Sequence, residues 1–253
     1  MKAVAIIPAR YASTRLPGKP ILEAARQTTG KYIIQHVYER AAAAPSVSRV
    51  IVATDDARIA RAVQDFGGEA RMTSPDHQSG TDRIAEAAVG VDAAIIVNVQ
   101  GDEPEIRPEQ VEQVVRLLAD DGDAVMGTLA HPIASEREWR DPNVVKVVTD
   151  ARGGALYFSR SPIPYTRDAG GWAANGPLNA LHHLGIYSYR RDFLFRYASL
   201  PLAPLELAER LEQLRALSAG YRIKVGVTPH ACIGIDTPED LQAWLARHTA
   251  GSA

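Results

Sequence analysis

Three cations fall within ten residues of the stretch "IIPARYASTRLPGKP" (6–20): Arg10, Arg15 and Lys19, with Pro17 and Pro20 among them. So spaced on one loop, they can surround a triphosphate and stabilise the charge developing on a leaving pyrophosphate, while the prolines lower the entropy of ordering the loop. The competing reading is a solvated basic loop with no ligand. Neither common glycine fingerprint for phosphate is present there. Gly18-Lys19 is followed by Pro20 and lacks the upstream glycine of a Walker A loop, and no G-x-G-x-x-G occurs, so ATPase and NAD-binding readings lose their main support.

Two acids could serve the same chemistry. "VNVQGDEP" (97–104) ends an apolar run in Gln100, Gly101, Asp102 and Glu103, and an Asp at such a strand end can hold Mg²⁺, which prefers hard oxygen ligands and shares its shell with phosphate and water. A plain Gly-Asp turn explains the same residues. Asp236 in "GIDTPEDL" is the candidate second acid, although Asp236 or Thr237 as a cap, with Pro238 in the first turn, makes an equally good helix start. Capping does not exclude a metal role. Ser79 and Gly80 in "HQSGTDR" (77–83) can meet a base or sugar through the backbone, or form only a turn and N-cap. His182 and His183 open a strand of alternating pattern, so only one can face a pocket, and no H-x-x-x-H spacing supports zinc.

The elements that must position these residues alternate. "AVAIIPA", "SRVIVATD" and "AAIIVNVQ" read as strands buried on both faces, and "DDARIARAVQDFGG", "TDRIAEAAVG" and "PEQVEQVVRLLADD" carry apolar residues at helical spacing. The first ~130 residues therefore form a β-α repeat, and the expected fold is α/β, a Rossmann-like three-layer α/β/α sandwich. Further on, "NVVKVVTD" and "GALYFSR" flank Gly153-Gly154 as a hairpin, which makes the central sheet mostly parallel but mixed. Residues 164–180, rich in Gly, Pro, Asn and Asp, are expected to be a mobile loop. Then follow the strand "LHHLGIYSY", one helix over 204–219, the strand "RIKVGVT" and a last helix opened by "DTPEDL". A single domain over 1–253 is expected, with 133–225 as a possible smaller lobe.

The bulk numbers limit the function classes. A formal charge of −2, from 28 basic and 30 acidic residues well mixed along the chain, gives no polybasic stretch for nucleic acid or an anionic membrane. Cys232 is the one cysteine, which excludes an intrachain disulfide and fits a reducing compartment; its setting in "HACIGID" suits a small buried filler. No apolar region resembles a signal peptide or the roughly 20 residues of a membrane span, so a soluble cytoplasmic protein is expected.

Taken in order, "IPARYASTRLPGKP", "HQSGTDR", "NVQGDEP", "LYFSR", "HLGIYSY", "LEQLR" and "GIDTPEDL" resemble the 3-deoxy-manno-octulosonate cytidylyltransferases from about Val4 to Leu241. The opening motif alone would indicate only the wider class of sugar nucleotidyltransferases, with its nucleotide-diphospho-sugar transferase fold. The resemblance implies a reaction of CTP with 3-deoxy-manno-octulosonate (Kdo) to give CMP-Kdo and pyrophosphate for lipopolysaccharide synthesis, without a covalent enzyme intermediate. It implies catalytic roles for Arg10, Lys19, Asp102 and Asp236, with Mg²⁺ on the two acids. Pro8, Ala9, Arg10, Arg15, Lys19, Ser79, Gly80 and Gln100 would contact the nucleotide, and Gln100, Arg160, His183, Tyr187 and Glu212 the sugar. It also implies a homodimer, with the lobe at 133–225 serving sugar binding and dimerisation.

The chain departs from the family pattern in places. The segment "EAARQTTGKYI" is longer than the usual turn and has Tyr32 in place of proline, His182 stands where Lys or Arg is usual, and Ser188 replaces a glycine. The last two are expected to bear on sugar preference. A related acidic sugar, an 8-amino Kdo derivative or a sialic acid, is the nearest alternative substrate. A non-catalytic nucleotide-binding homologue and a nucleoside triphosphate hydrolase are alternatives of other classes.

Overall fold

The computed structural model describes residues 2–12, 15–77, 79–172 and 180–250. The chain forms two compact units, Met1–Glu112 with Cys232–Ala253, and Gln113–Ala231. The second unit is wider than the lobe expected at 133–225, because the strand over 126–132 pairs with strands of that unit.

The first unit contains β1 (Ala3–Ala9), α1 (Glu23–Thr29), α2 (Ile33–Ala42), β2 (Val47–Thr54), α3 (Ala57–Asp65), β3 (Glu69–Met72), α4 (Gly80–Ala87), β4 (Ile95–Asn98) and the start of α5 (Pro108–Ala119). Its strands lie in the order β3-β2-β1-β4, all parallel, with Pro8 opposite Ala53 and Ile6 opposite Asn98. Ala3 to Ile7 and Ile95 to Val97 are buried, as unbroken apolar runs must be in a parallel sheet covered on both faces. The segment over 23–32 is no extended turn. It forms α1, stopped by Gly30 at φ 75°, and Tyr32 leads into α2 from extended backbone. Ala25 of α1 and Ile33 of α2 pack with Ile235, Leu241 and Trp244, which seats the last helix of the chain on this unit.

The second unit holds the rest of α5, then β5 (Met126–Pro132), α6 (Glu136–Arg140), β6 (Lys146–Thr149), β7 (Ala155–Ser159), β8 (Leu181–Arg190), α7 (Arg191–Ala198), α8 (Pro204–Glu209), α9 (Gln213–Ser218) and β9 (Ile223–Val227). β5 runs antiparallel to β8 and parallel to β9, and β6 runs antiparallel to β7 and β8, so this sheet is mixed as expected. Asp150 closes the β6–β7 hairpin by accepting from the N–H groups of Arg152 and Gly154, both at 2.8 Å. The final helix, α10 (Pro238–Ala250), returns to the first unit.

The single helix expected over 204–219 is broken. Arg210 adopts φ 54°, α8 stops at Glu209 and α9 starts at Gln213. The break lets Glu206 and Arg215 meet at 2.6 and 2.9 Å, both nearly buried. On one continuous helix, nine residues at 1.5 Å each would hold them roughly 13 Å apart along the axis. Of the expected loop over 164–180, residues 173–179 lie outside the described residues, and Thr166 and Gly171 bridge across a short 3-10 turn. Among the described residues, no helix is long and apolar enough to cross a membrane.

Candidate active site

The C-terminal ends of β1 and β4 lie side by side, and both run into the loops that carry candidate residues. After β1 the chain folds back on itself, the Gly18 N–H donating to the Tyr11 carbonyl at 2.9 Å. Gly18 sits at φ 70°, and a Cβ there would lie 3.1 Å from the Tyr11 ring, so this turn requires glycine. Arg58, paired with Asp56 at the start of α3, covers the Tyr11 ring at 3.3 Å from its centroid. Lys19 thereby opens a short 3-10 turn whose Pro20 is buried.

After β4, Gly101 passes so close to β1 that a Cβ would lie 3.0 Å from the Pro8 carbonyl oxygen. That approach delivers Asp102. The Asp102 carbonyl accepts from the Ile235 N–H at 2.9 Å, which brings in Asp236. The cap of α10 is Thr237: its hydroxyl accepts from the Asp240 N–H at 3.2 Å, and Asp240 accepts in turn from the N–H groups of Asp236 and Thr237. The Asp236 side chain is therefore spared for the site. Capping and a site role coexist on adjacent residues.

Lys19 Nζ donates to Asp102 Oδ2 at 2.7 Å and to Asp236 Oδ1 at 3.0 Å. Burial, the largest single influence, pulls the Lys19 pKa down, but the two carboxylates together outweigh it and hold the ammonium above its usual value. These three groups line a cleft of about 530 Å³ with Arg10, Arg15 and Gln100; Pro8, Ala9 and Gly101 also line it. That volume suits a nucleotide. Among the described residues, no cluster of three or more His, Cys, Asp or Glu forms a metal cage. Two carboxylates reaching one cation are nonetheless the usual protein share of a Mg²⁺ site, whose other ligands are phosphate and water.

Next to Asp102 in the chain Glu103 is buried, and burial, with the charges of Asp102 and Asp236 adding to it, pushes its carboxyl up to about 8. Cys232 is only half-buried rather than the buried filler expected, but burial still pushes its thiol up and Gln110 donates to its sulfur at 3.3 Å, which fits an unreactive thiol. Ser79 caps α4 by accepting from the Asp82 N–H at 3.0 Å, so its hydroxyl is committed locally, and Gly80 faces the Pro8 ring. Neither lines the cleft, and the cap uses the Ser79 hydroxyl rather than the backbone groups expected to meet the nucleotide.

The five expected sugar residues divide between the units. Gln100 lines the cleft of the first; Arg160, His183, Tyr187 and Glu212 belong to the second. His183 is buried between Phe158 and Tyr187, at ring distances of 4.9 and 5.4 Å, with Nε2 3.0 Å from the Thr128 hydroxyl. Burial, helped by His182, holds its pKa down to about 3, so it is neutral at physiological pH. His182, one residue earlier, turns the other way, towards Glu138 at 3.5 Å, as strand alternation requires. Glu212 accepts from the Tyr197 hydroxyl through its backbone carbonyl at 2.7 Å. Ser188 does not face a pocket. It is fully buried and donates to the Val114 carbonyl at 2.7 Å, so its expected bearing on sugar preference is withdrawn.

Sequence reasoning missed two residues around Arg160. Lys146, fully buried, donates to three backbone carbonyls, and burial lowers its pKa. Glu209 accepts from the Ser159 hydroxyl and the Arg160 N–H. A lysine inside the apolar run "NVVKVVTD" was a readable signal for the first; nothing local marks the second.

The cytidylyltransferase family model matches residues 4–223. The 3-deoxy-manno-octulosonate cytidylyltransferase of Syntrophotalea carbinolica is 54% identical over 244 residues, covering 95% of this chain and 96% of that protein. The protein of the same name from Geobacter sulfurreducens is 53% identical over 254 residues, covering 98% and 99%. A solved structure of CMP:2-keto-3-deoxy-manno-octonic acid synthetase complexed with CTP matches at a TM-score of 0.91 and 49% identity, covering all of both chains.

Proposed function

The chain belongs to the cytidylyltransferase family, and on that premise we propose that it transfers CMP from CTP to Kdo, releasing pyrophosphate. The observation that carries this reading is Lys19 bridging Asp102 and Asp236 in a cleft that also holds Arg10 and Arg15. That arrangement concentrates positive charge for a triphosphate beside a carboxylate pair suited to a divalent cation. Bound Mg²⁺, held by Asp102 and Asp236, would neutralise charge on the phosphates. Arg10, Arg15 and Lys19 would orient the triphosphate and stabilise the departing pyrophosphate.

The anomeric hydroxyl of the sugar attacks the α-phosphorus, a new O–P bond forms, the bond to the β-phosphate oxygen breaks, and the hydroxyl proton leaves to solvent or a phosphate oxygen. Alignment and charge stabilisation supply the rate, as in other transfers at phosphorus. Arg160 would receive the sugar carboxylate through its guanidinium, while His183, Tyr187 and Glu212 of the same unit meet hydroxyls. His183, neutral and fixed by Thr128, suits a hydrogen-bonding role rather than a charge role. The backbone at Pro8 and Ala9 would read the cytosine edge. The working enzyme is proposed to be a cytoplasmic homodimer, which sedimentation of the purified chain tests for assembly.

Pyrophosphate release measured with CTP, Mg²⁺ and Kdo, beside reactions that omit the sugar, omit Mg²⁺ or replace CTP, tests the proposal. Release that requires CTP, Kdo and Mg²⁺ is expected. Release without sugar would make the protein a hydrolase, and release only with another acidic sugar would reassign the substrate.

A further inference from the structure

Arg160 is gripped at both ends of its own backbone. Its N–H donates to Glu209 Oε2 at 2.9 Å, and its carbonyl accepts from Lys146 Nζ at 2.6 Å. Glu209 does more than this. Its Oε1 accepts from the Ser159 hydroxyl at 2.6 Å and the Tyr157 hydroxyl at 3.3 Å, and its backbone carbonyl accepts from Arg160 Nε at 2.8 Å. Arg160 Nη1 donates to the Pro142 carbonyl at 3.0 Å, in the same turn whose Asp141 and Val144 carbonyls accept from Lys146 at 2.8 and 2.5 Å. Two segments, 141–144 and 159–160, are thus tied together by one buried ammonium. The guanidinium keeps Nη2 without a hydrogen-bond partner among the described residues.

A buried ammonium with no carboxylate in hydrogen-bond contact costs more than an apolar side chain of the same length would in that space. Lys146 therefore needs a reason beyond filling volume, and its three carbonyl contacts supply one: they fix the turn that holds Nη1 and the peptide that carries Arg160. With Nε and Nη1 both occupied, the guanidinium cannot swing without losing two hydrogen bonds, which leaves its remaining edge presented in one orientation. Presenting a fork in one orientation removes the ordering cost from binding a planar carboxylate.

We propose that Lys146 and Glu209 are positioning residues that hold the Arg160 guanidinium ready for the carboxylate of the sugar acid, an inference that rests on the assignment of Arg160 to that carboxylate. They act on recognition of the acidic sugar and leave the nucleotide alone. Neither touches substrate.

The test uses the full chain carrying Lys146→Met, Glu209→Gln or Arg160→Ala, and the two double variants that combine Arg160→Ala with each of the others. Steady-state pyrophosphate release is measured against varied Kdo and varied CTP, with thermal unfolding of each variant. Lys146→Met and Glu209→Gln are each expected to raise KM for Kdo roughly tenfold or more, the size of one charge-assisted hydrogen bond. KM for CTP and kcat should each change less than about threefold, and on the Arg160→Ala background either substitution should raise KM for Kdo by no more than about twofold, as for residues acting as one unit. An unchanged KM for Kdo in folded single variants, or a full multiplicative effect on top of Arg160→Ala, overturns the inference. If Arg160→Ala itself leaves KM for Kdo unchanged, the assignment of Arg160 has failed and the inference falls with it. Should Lys146→Met not fold, Glu209→Gln, at a half-buried residue, decides by the same criteria.

Discussion

Replacing Asp102 or Asp236 by Asn removes one of the two carboxylates that share Lys19, and the two should differ in stability while agreeing in catalysis. The Lys19 bond to Asp102 is the shorter, at 2.7 Å, and the Asp102 side chain is 30% exposed. The bond to Asp236 is 3.0 Å and its side chain is 54% exposed. A partly buried hydrogen bond to a charged group contributes about 1.5–3 kcal/mol, whereas an exposed ion pair contributes about 0–1 kcal/mol. In metal-free buffer Asp102→Asn should therefore lower the unfolding free energy by about 2 kcal/mol, or about 4–8 °C in Tm, and Asp236→Asn by less than about 1 kcal/mol. Lys19 is held above its usual pKa, so this contribution is complete below pH ~10.5 and is lost as pH rises through the folded value; measurement near pH 8 lies inside that window. Turnover should follow another rule. If both acids hold one cation, each substitution should lower kcat/KM by about a thousandfold, and the double variant should be little worse than either single one. Urea unfolding and pyrophosphate release on the same preparations read both quantities. Retained turnover in Asp236→Asn, or a multiplicative loss in the double variant, would refute a shared cation site, and a reversed stability order would refute the burial argument.

Other outcomes follow from single contacts. His183, held at about 3 by burial, is neutral when folded but gains a proton in the unfolded chain below about pH 6.5, so stability should be complete above that pH and fall as pH drops towards 3. His183→Gln should flatten this part of the unfolding-versus-pH curve; an unchanged slope would show that the ring is protonated in the fold. Arg215→Met strands a buried Glu206 carboxylate and should cost about 3–5 kcal/mol in urea unfolding, most of it recovered when Glu206 is also replaced by Leu. Gly18→Ala places a methyl group 3.1 Å from the Tyr11 ring at φ 70° and should cost about 1–2 kcal/mol. It should also raise KM for CTP, and a wild-type KM would show that this turn does not present Lys19.

The strands and the cleft's cations were the legible part. β1 runs over Ala3–Ala9 because seven successive residues suit burial on both faces, and a run of that kind has few other stable uses. Arg10, Arg15, Lys19, Asp102 and Asp236 announced themselves by type and by their place after apolar runs, and all five line one cleft. Other positions misled. Ser188 was expected to bear on sugar preference, but it bonds a buried carbonyl, since a short hydroxyl side chain is easily claimed by nearby backbone. The helix expected over 204–219 kept good periodicity on both sides of Arg210, and only the distant demand of the Glu206–Arg215 pair exposes the break.

By itself the amino-acid order determined the buried parallel strands of the first unit, which charges are available and that a helix starts at Asp236 or Thr237, because these depend on neighbours within a few residues. Tertiary structure alone decided that Lys19 joins two acids lying 83 and 217 residues further along the chain, that Asp236 is free of its cap, and that Lys146 and Glu209 close on Arg160. Such meetings are set by how strands and turns pack in space, and local periodicity carries no record of them.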